Sequence, residues 1–231
     1  QGIVRTPNNF GNLGEAPSHP ELLDFLAREF IRSGWSIKHM HRLMMLSAAY
    51  AQSSAAAPEL LAADPTNRLF GRAQRRRLDA EQLRDSLLAL GGNLDPTHGG
   101  PAFEELATPR RTLYLKSVRS GGHGAEFAAL FGRPDPSAST ALRDADLLAP
   151  QALFLETSDF VARQAALLAA RVESGDAADP AGRLYRLVLL RDPSPAEREV
   201  GRRLLAADPG PDPWAHYCRL LLWTDEFLHI D

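Results

Sequence analysis

Two carboxylates stand one helical turn apart in this sequence, at Glu81 and Asp85. If both faced a cleft, one carboxyl group could donate a proton while the other accepts one, or the two could hold a cation. The arginines at residues 75–77 and at Arg84 offer a different interpretation, because their guanidinium groups can neutralise both carboxylates in an ion network. We favour the ion network; alternatively, the arginine run binds an anionic ligand.

Three other polar residues are candidates for the same chemistry. His19 stands in the first turn of a predicted helix, where its ring is accessible to loop residues. Arg111 precedes a predicted short extended segment, residues 112–115, that contains Tyr114. An enzyme acting on sugars or polysaccharides would need these three side chains to converge with the carboxylate pair in one cleft. A module that only binds an anionic glycan is a further alternative.

The sequence offers no signature for a metal, a covalent cofactor or an activated nucleophile. It contains no Gly-x-Ser-x-Gly elbow and no His-Glu-x-x-His pair. His39 and His41 lie about 200° apart around a helix, so they cannot bind one metal together, and we interpret His41 as a core histidine. Cys218 is the only cysteine, which excludes an internal disulfide, a cysteine zinc site and a c-type haem attachment. We therefore expect no metal and no cofactor in this chain.

Composition places the chain among globular proteins and argues against two classes of partner. Its 231 residues are 44% hydrophobic, which is enough to bury a substantial core. A formal charge of -3, from 26 basic and 29 acidic residues, gives no field that would attract nucleic acid or an anionic membrane. No apolar run approaches the ~20 residues that are needed to span a bilayer.

Helical periodicity dominates the first part of the chain. Ser18 is placed to cap a helix over residues 19–33, which Gly34 ends. Ser36 can cap a second helix over residues 37–50, whose pattern is apolar nearly all round. We expect the first to be an amphipathic core helix and the second to lie at the centre of the core.

Helices are also predicted beyond residue 78, on both sides of an aperiodic stretch. A third helix starts from a capping box of Asp79 and Gln82 and runs to residue 90. Residues 94–140 lose the periodicity and gain glycine and proline, which predicts an irregular connector with at most a short strand or hairpin. Further helices are predicted at residues 150–157, 159–173, 180–190, 195–207 and 213–226.

The predicted fold is mainly α, a single irregular multi-helix domain over residues 1–231. It has helical lobes at about residues 18–93 and 141–231, joined by the Gly/Pro-rich connector. The first residues, 2–11, are rich in turn formers and have no initiator Met ahead of them. We therefore expect the chain to be the C-terminal fragment of a longer polypeptide.

Short segments spread over nearly the whole chain carry a family resemblance. In the N-terminal part they are Gly2-Ile3-Val4-Arg5-Thr6-Pro7-Asn8, His19-Pro20-Glu21-Leu22-Leu23-Asp24, Asp64-Pro65 with Asn67-Arg68, Arg76-Arg77-Leu78 and Leu83-Arg84-Asp85. Later ones are Gly99-Gly100-Pro101, Leu113-Tyr114-Leu115, Pro134-Asp135-Pro136, Pro150-Gln151-Ala152-Leu153-Phe154-Leu155 and Leu184-Tyr185-Arg186-Leu187. In this order they resemble the domain-of-unknown-function family 1553, which is typical of large planctomycete-type exported proteins.

The resemblance implies a setting and no particular activity. Members of that family usually form the C-terminal part of a longer polypeptide, preceded by a companion domain and often by a c-type cytochrome domain. It thus implies a periplasmic or secreted location, partner domains upstream in the same chain, and haem in the parent protein. No catalytic residues carry over. The chain departs from the usual pattern at Asn9, where Asp is commoner, and at Ala149, where a Pro often stands.

Two hypotheses follow from the residues and the resemblance together. The first is a non-catalytic structural or interaction module that docks on the companion domain. Its expected contact surface is the polar turn containing Arg5, Asn8 and Asn9, together with His19. The second is an enzyme or binding domain acting on sugars or polysaccharides, which would use the carboxylate pair and the three candidates named with it.

Overall fold

Helices are the main regular structure of the protein, which a computed structural model describes at residues 2–117, 123–143, 149–175, 179–207 and 210–230. Within these residues the α-helices are α1 (Pro20–Arg32), α2 (Ile37–Met45), α3 (Pro58–Ala63), α4 (Ala80–Leu90), α5 (His123–Leu130), α6 (Ala149–Thr157), α7 (Asp159–Glu173), α8 (Pro180–Val188), α9 (Pro195–Ala207) and α10 (Pro213–Leu221). Two short strands, β1 (Arg76–Arg77) and β2 (His229–Ile230), pair as a two-stranded sheet. The prediction of a mainly α fold is confirmed. None of the helices described is long and apolar enough to cross a bilayer.

The chain divides into two compact units. The N-terminal unit comprises Gln1–Arg76 together with Asp231, and the C-terminal unit comprises Arg77–Ile230. The division falls inside the helical lobe that the sequence analysis placed at about residues 18–93.

The C-terminal unit is organised around α7. This helix packs against α4, α6, α8 and α10, and α10 also packs against α9. Its buried face repeats at helical spacing, with Val161, Ala165, Leu168 and Val172 each no more than 1% exposed. Ala165 brings little side-chain volume to this face, which allows neighbouring helices to approach closely. The predicted helix at residues 159–173 is confirmed with the same bounds.

Helix α4 begins with the capping box that the sequence predicts. The Asp79 side chain accepts a hydrogen bond from the Gln82 backbone, and the Gln82 side chain accepts one from the Asp79 backbone. These reciprocal bonds satisfy amides that the first turn would otherwise leave unpaired. Leu83 and Leu87 then enter the core with at most 1% of their surface exposed.

Residues 94–140 are irregular over most of their described length, as the sequence predicted, but they are not without helix. They contain α5, and Phe127 and Phe131 from this region lie in the core. The segment predicted as extended is instead a 3-10 turn at Thr112–Tyr114, and an isolated bridge pairs Leu115 with Phe103. Helix α5 spans only eight residues and its apolar side chains point to several sides, so it leaves no periodic signal in the sequence. Residues 118–122 of the expected connector lie outside the described residues.

Two predictions for the N-terminal helices are wrong in detail. Ser18 does not cap α1, because its hydroxyl donates to the carbonyl of Ile3 at 3.2 Å. Helix α2 is capped by Ser36 as predicted but stops at Met45, well before residue 50. The Ser47 hydroxyl donates to the Met44 carbonyl at 2.6 Å, and this local bond competes with continued helix.

The Arg84 guanidinium lies in the core with 0% of its surface exposed. It donates to the backbone carbonyls of Leu106 at 3.0 Å and Arg110 at 2.9 Å, to that of Thr108, and to the Thr112 hydroxyl at 3.0 Å. All of these acceptors belong to the loop that follows α4. One side chain therefore satisfies several buried oxygens and fixes the loop against the helix.

The Arg84 charge survives this burial. Loss of hydration lowers the pKa of Arg84 to about 10, although the nearby Asp85 carboxylate acts in the opposite direction. The side chain is therefore protonated at neutral pH. Its guanidinium also lies 4.9 Å from the centre of the Phe103 ring, a cation–π contact that offsets part of the lost hydration.

We expect Arg84→Lys to destabilise the protein by about 3 to 5 kcal/mol, because one ammonium cannot reach every carbonyl and leaves buried acceptors unpaired. The matched control is Arg171→Lys. Arg171 also donates to two carbonyls, those of Ala89 and Leu90, but at an exposed site, so its loss should cost less than about 1 kcal/mol. Urea unfolding followed by circular dichroism measures both. Equal losses in the two variants would contradict the anchoring role of Arg84.

Candidate functional site

The N-terminal unit has no apolar core among its described residues, 2–76. The only side chains buried there are the polar ones of Glu29 and Asp64. Large apolar side chains are instead exposed: Phe10, Leu13, Leu22, Leu23, Phe25, Ile31, Trp35, Ile37, Met44, Met45, Leu46, Tyr50, Leu61 and Leu69. We call this set the apolar surface. So many large apolar side chains exposed in one unit favour contact with a covering surface.

This burial pattern corrects two predictions about α1 and α2. Neither helix contains a buried apolar residue, although both were expected to contribute to a core. His41 was interpreted as a core histidine, and it is exposed. Helical spacing of apolar residues shows which side of a helix is suited to burial. It does not show whether the element that buries this side belongs to the same unit.

Polar contacts hold α1 and α2 together in place of an apolar core. Glu29 accepts two hydrogen bonds from Arg32, both at 2.8 Å, and lies 2.7 Å from Nε2 of His39 on α2. The hydrogen bonds from Arg32, and then that with His39, lower the pKa of Glu29 to about 2. Glu29 is therefore ionised at neutral pH and joins the two helices.

A second polar centre, Asp64, organises the loop after α3. Its carboxylate accepts from the backbone amides of Arg68 and Leu69, both at 2.8 Å, and these bonds lower the pKa of Asp64. Arg72 donates to the Asp64 carbonyl at 2.9 Å. The loop is therefore held by hydrogen bonds.

The predicted interface residues all belong to the N-terminal unit. Arg5 is half-buried and donates to the carbonyl of Thr66 at 3.2 Å. Asn8 and Asn9 are exposed, and within the described residues their side chains make no hydrogen bond. His19 is half-buried, with its ring centre 5.2 Å from that of Phe70. Arg5 therefore helps to hold the unit, whereas the two asparagine amides can reach a partner.

The C-terminal unit has an open depression of about 530 Å³ on the outer side of α4. It is lined by Leu78, Glu81, Gln82, Asp85, Ser86, Ala89, Arg111, Leu113 and Ile230. Three of the five candidate catalytic residues thus meet in one place. Tyr114 is not in the lining, and its hydroxyl accepts from the amide of Gly99 at 2.8 Å. His19 belongs to the N-terminal unit.

Glu81 is held as a carboxylate in this depression. Arg143 donates to it at 2.5 and 3.3 Å, and Arg133 lies 3.8 Å away. Burial alone would raise the pKa of Glu81, but the hydrogen bonds from Arg143 and the two positive charges outweigh it and lower the pKa. A carboxyl group with a lowered pKa is a poor general acid at neutral pH.

Asp85 is engaged by the loop that Arg84 anchors. Its Oδ1 accepts from the amide of Thr112 at 2.7 Å and from the Thr112 hydroxyl at 2.6 Å. Arg111 lies 3.7 Å from its other oxygen. An ion network at the carboxylate pair was predicted and is present, but Arg133, Arg143 and Arg111 contribute to it alongside Arg84. These contacts favour a structural role for Glu81 and Asp85 over a catalytic one.

No metal-binding cluster is found in the described part of the chain. Its His, Cys, Asp and Glu side chains form no group of three or more that could hold an ion. Cys218 is buried, and desolvation raises the pKa of its thiol to about 12, so it is not a thiolate at neutral pH.

A family model described as "PSD1: Protein of unknown function (DUF1553)" matches residues 1–205. The chain belongs to the DUF1553 family. No curated protein and no solved structure matches it. The family membership of this DUF1553 chain confirms the resemblance, and the description assigns it no activity.

Sequence reasoning missed the apolar surface in the described residues 2–76 of this DUF1553 chain. The signal was present in α2, which carries apolar residues on one side and polar residues on the other. That pattern predicts burial, and a helix can be buried by its own domain or by another one.

Asp85 should behave as a structural group. Asp85→Ala leaves the buried Thr112 amide without its acceptor and should cost about 1 to 3 kcal/mol, whereas Asp85→Asn keeps an acceptor oxygen and should cost less. Glu156→Ala on α6, an exposed carboxylate, is the control. Thermal unfolding measures all three. Activity separates this role from catalysis. If Asp85 were catalytic, Asp85→Asn would keep its stability and lose activity on a glycan substrate.

Acid should loosen the contact between α1 and α2. The folded pKa of Glu29, about 2, lies below its ordinary value of 4.5, so its stabilising contribution is present above that value and is lost as the pH falls toward 2. NMR shifts of the α1 and α2 amides should follow this titration. Glu29→Gln should abolish the dependence, and Glu21→Gln, an exposed residue of α1, should leave it intact. An unchanged titration in Glu29→Gln would contradict this role.

Proposed function

We propose that this chain is a non-catalytic interaction module of a multidomain extracytoplasmic protein. Its N-terminal unit docks through the apolar surface on the folded companion domain that precedes it in the same polypeptide. The single observation that carries the proposal is that residues 2–76 bury no apolar side chain while exposing many.

The energetic argument for a partner is direct. Burying one Leu, Ile or Phe side chain stabilises a fold by about 1.5 to 3 kcal/mol, and small domains depend on many such contributions. The hydrogen bonds around Glu29 and Asp64 give the N-terminal unit a defined local structure, but each contributes only about 0.5 to 3 kcal/mol net. A covering surface would supply the missing apolar burial.

Polar groups near the chain start would add specificity to this contact. The side chains of Asn8 and Asn9 have free hydrogen-bonding capacity within the described part of the chain. The tight turn that presents them is closed by Thr6, whose hydroxyl donates to the Asn9 carbonyl at 2.6 Å. Interfaces of this kind commonly combine an apolar centre with a polar rim.

The parent protein is proposed to be exported and to carry a c-type cytochrome domain, as the family resemblance implies. In that setting, the module would help to place the haem domain relative to an electron donor. The formal charge of -3 supports a protein partner over nucleic acid.

The alternative is an enzyme or binding domain acting on sugars or polysaccharides. It is favoured by one observation, the meeting of Glu81, Asp85 and Arg111 in a depression. Both carboxylates are already engaged by protein donors, and the lining described contains no aromatic ring of the kind that commonly covers a ligand. These features support the docking proposal.

The test is co-purification of this chain with the separately expressed preceding domain. Ile31→Lys places a charge on the apolar surface at a side chain that is 60% exposed, and it should weaken the complex by tenfold or more, about 1.4 kcal/mol. The control is Leu153→Lys on α6 in the C-terminal unit, where the side chain is 57% exposed. This variant should bind like the unaltered chain.

Hydrogen exchange locates the contact. Amides of α1 and α2 should be slowed in the complex, and those of α6 should not change. Absence of a complex at micromolar concentration, or equal weakening by the two lysine variants, would overturn the proposal.

A further inference from the structure

A second cavity, of about 710 Å³, lies in the C-terminal unit on the side of α5, α6 and α7. Its apolar lining consists of Leu106, Phe127, Leu130, Phe154 and Phe160. The volume lies within the range of small-molecule sites, which are mostly apolar with a few polar groups. None of the predicted site residues lines this cavity.

Two of the phenylalanines form an aromatic wall. The ring centres of Phe127 and Phe154 are 5.3 Å apart and the rings are tilted by 47°. The faces of such rings carry partial negative charge and attract cations. The Phe160 ring is already 5.9 Å from the Arg84 guanidinium, so a ligand cation is expected near Phe154 instead.

The charged groups of the lining are predominantly acidic. Three carboxylates, those of Glu105, Glu126 and Asp159, line the cavity together with a single guanidinium, that of Arg163. Glu105 and Asp159 are exposed, and neither forms an ion pair within the described residues. An apolar cavity with an acidic excess favours a ligand that joins a positive charge to an apolar body.

We propose that this cavity binds a small organic monocation, an ammonium group attached to an aromatic or branched aliphatic body. The body fills the space between the phenylalanines and leucines, and the ammonium group lies near Phe154 and the carboxylates of Glu105 and Asp159. A second positive charge is disfavoured by Arg163. This ligand site is independent of the docking surface and goes beyond the proposed function.

The experiment uses the full 231-residue chain and benzyltrimethylammonium as the probe, with binding followed by NMR titration. Benzyl alcohol and phenylacetate are the neutral and anionic probes of similar body. We expect a Kd of about 0.1 to 1 mM for the cation and at least fivefold weaker binding of the other two. Added salt should weaken binding of the cation alone.

Three variants separate the contributions. The double variant Glu105→Gln with Asp159→Asn should weaken cation binding about fivefold, and Phe154→Leu should weaken it about threefold. In both variants, the NMR shifts that change on mutation should be confined to residues around the cavity. Ala107→Trp places a large side chain at an exposed residue of the cavity lining and should abolish binding of every probe. Glu156→Gln, an exposed carboxylate of α6 outside the lining, is the control and should change nothing.

Each outcome decides the proposal. Selective binding of the cation that is weakened by the cavity variants supports it. Equal affinity for all three probes, unchanged affinity in the double variant, or no saturable shift up to about 10 mM cation overturns it. The companion domain is absent from this assay, so a failure here is distinct from a failure of docking.

Discussion

The buried guanidinium of Arg84 is the interaction on which the C-terminal unit depends. Its hydrogen bonds pair backbone carbonyls of the loop at residues 106–112 that would otherwise be buried without a donor. The loop thereby forms one side of the core. Once Thr112 is held in that loop, it donates to Asp85, and the depression beside α4 takes its form. Leu106 from the same loop lines the second cavity. A single desolvated charge thus links the core to both concave surfaces. Its desolvation cost is offset because the guanidinium donates four hydrogen bonds to oxygens and lies 4.9 Å from the centre of the Phe103 ring.

The two units differ in which side chains they bury. The C-terminal unit surrounds α7 with apolar side chains and pairs several of its carboxylates with arginines. The N-terminal unit buries Glu29 and Asp64 and leaves many of its large apolar side chains exposed. Ion pairs and turn hydrogen bonds fix the positions of the groups that they join. Because they bury little apolar area, they contribute less to the stability of the fold than to its geometry. This contrast is the physical basis for interpreting the N-terminal unit as one half of an interface.

Several features of the fold and the site were predictable from the sequence. Helix α7 was predicted with its observed bounds, and α1 to within one residue at each end, because their apolar positions repeat at 3.6-residue spacing. The enzyme hypothesis required five side chains to share a cleft. Glu81, Asp85 and Arg111 line one depression, but Tyr114 does not line it. The arginines that neutralise Glu81 were not predictable, since they stand more than 50 residues away along the chain. Helices α3 and α5 escaped prediction because both are too short to show a period.

What the sequence determined by itself is local. The two residues of the capping box, Asp79 and Gln82, stand three positions apart, and the Ser36 hydroxyl caps α2 over the same separation. Neighbours in the chain therefore suffice to set these helix starts. Family membership also follows from the sequence alone, through its short matching segments and their order along the chain. Only the tertiary structure decided which apolar faces are covered and which partners Arg84 finds. Burial and long-range hydrogen bonds depend on segments that meet in space, and periodicity along one helix carries no record of what lies opposite it.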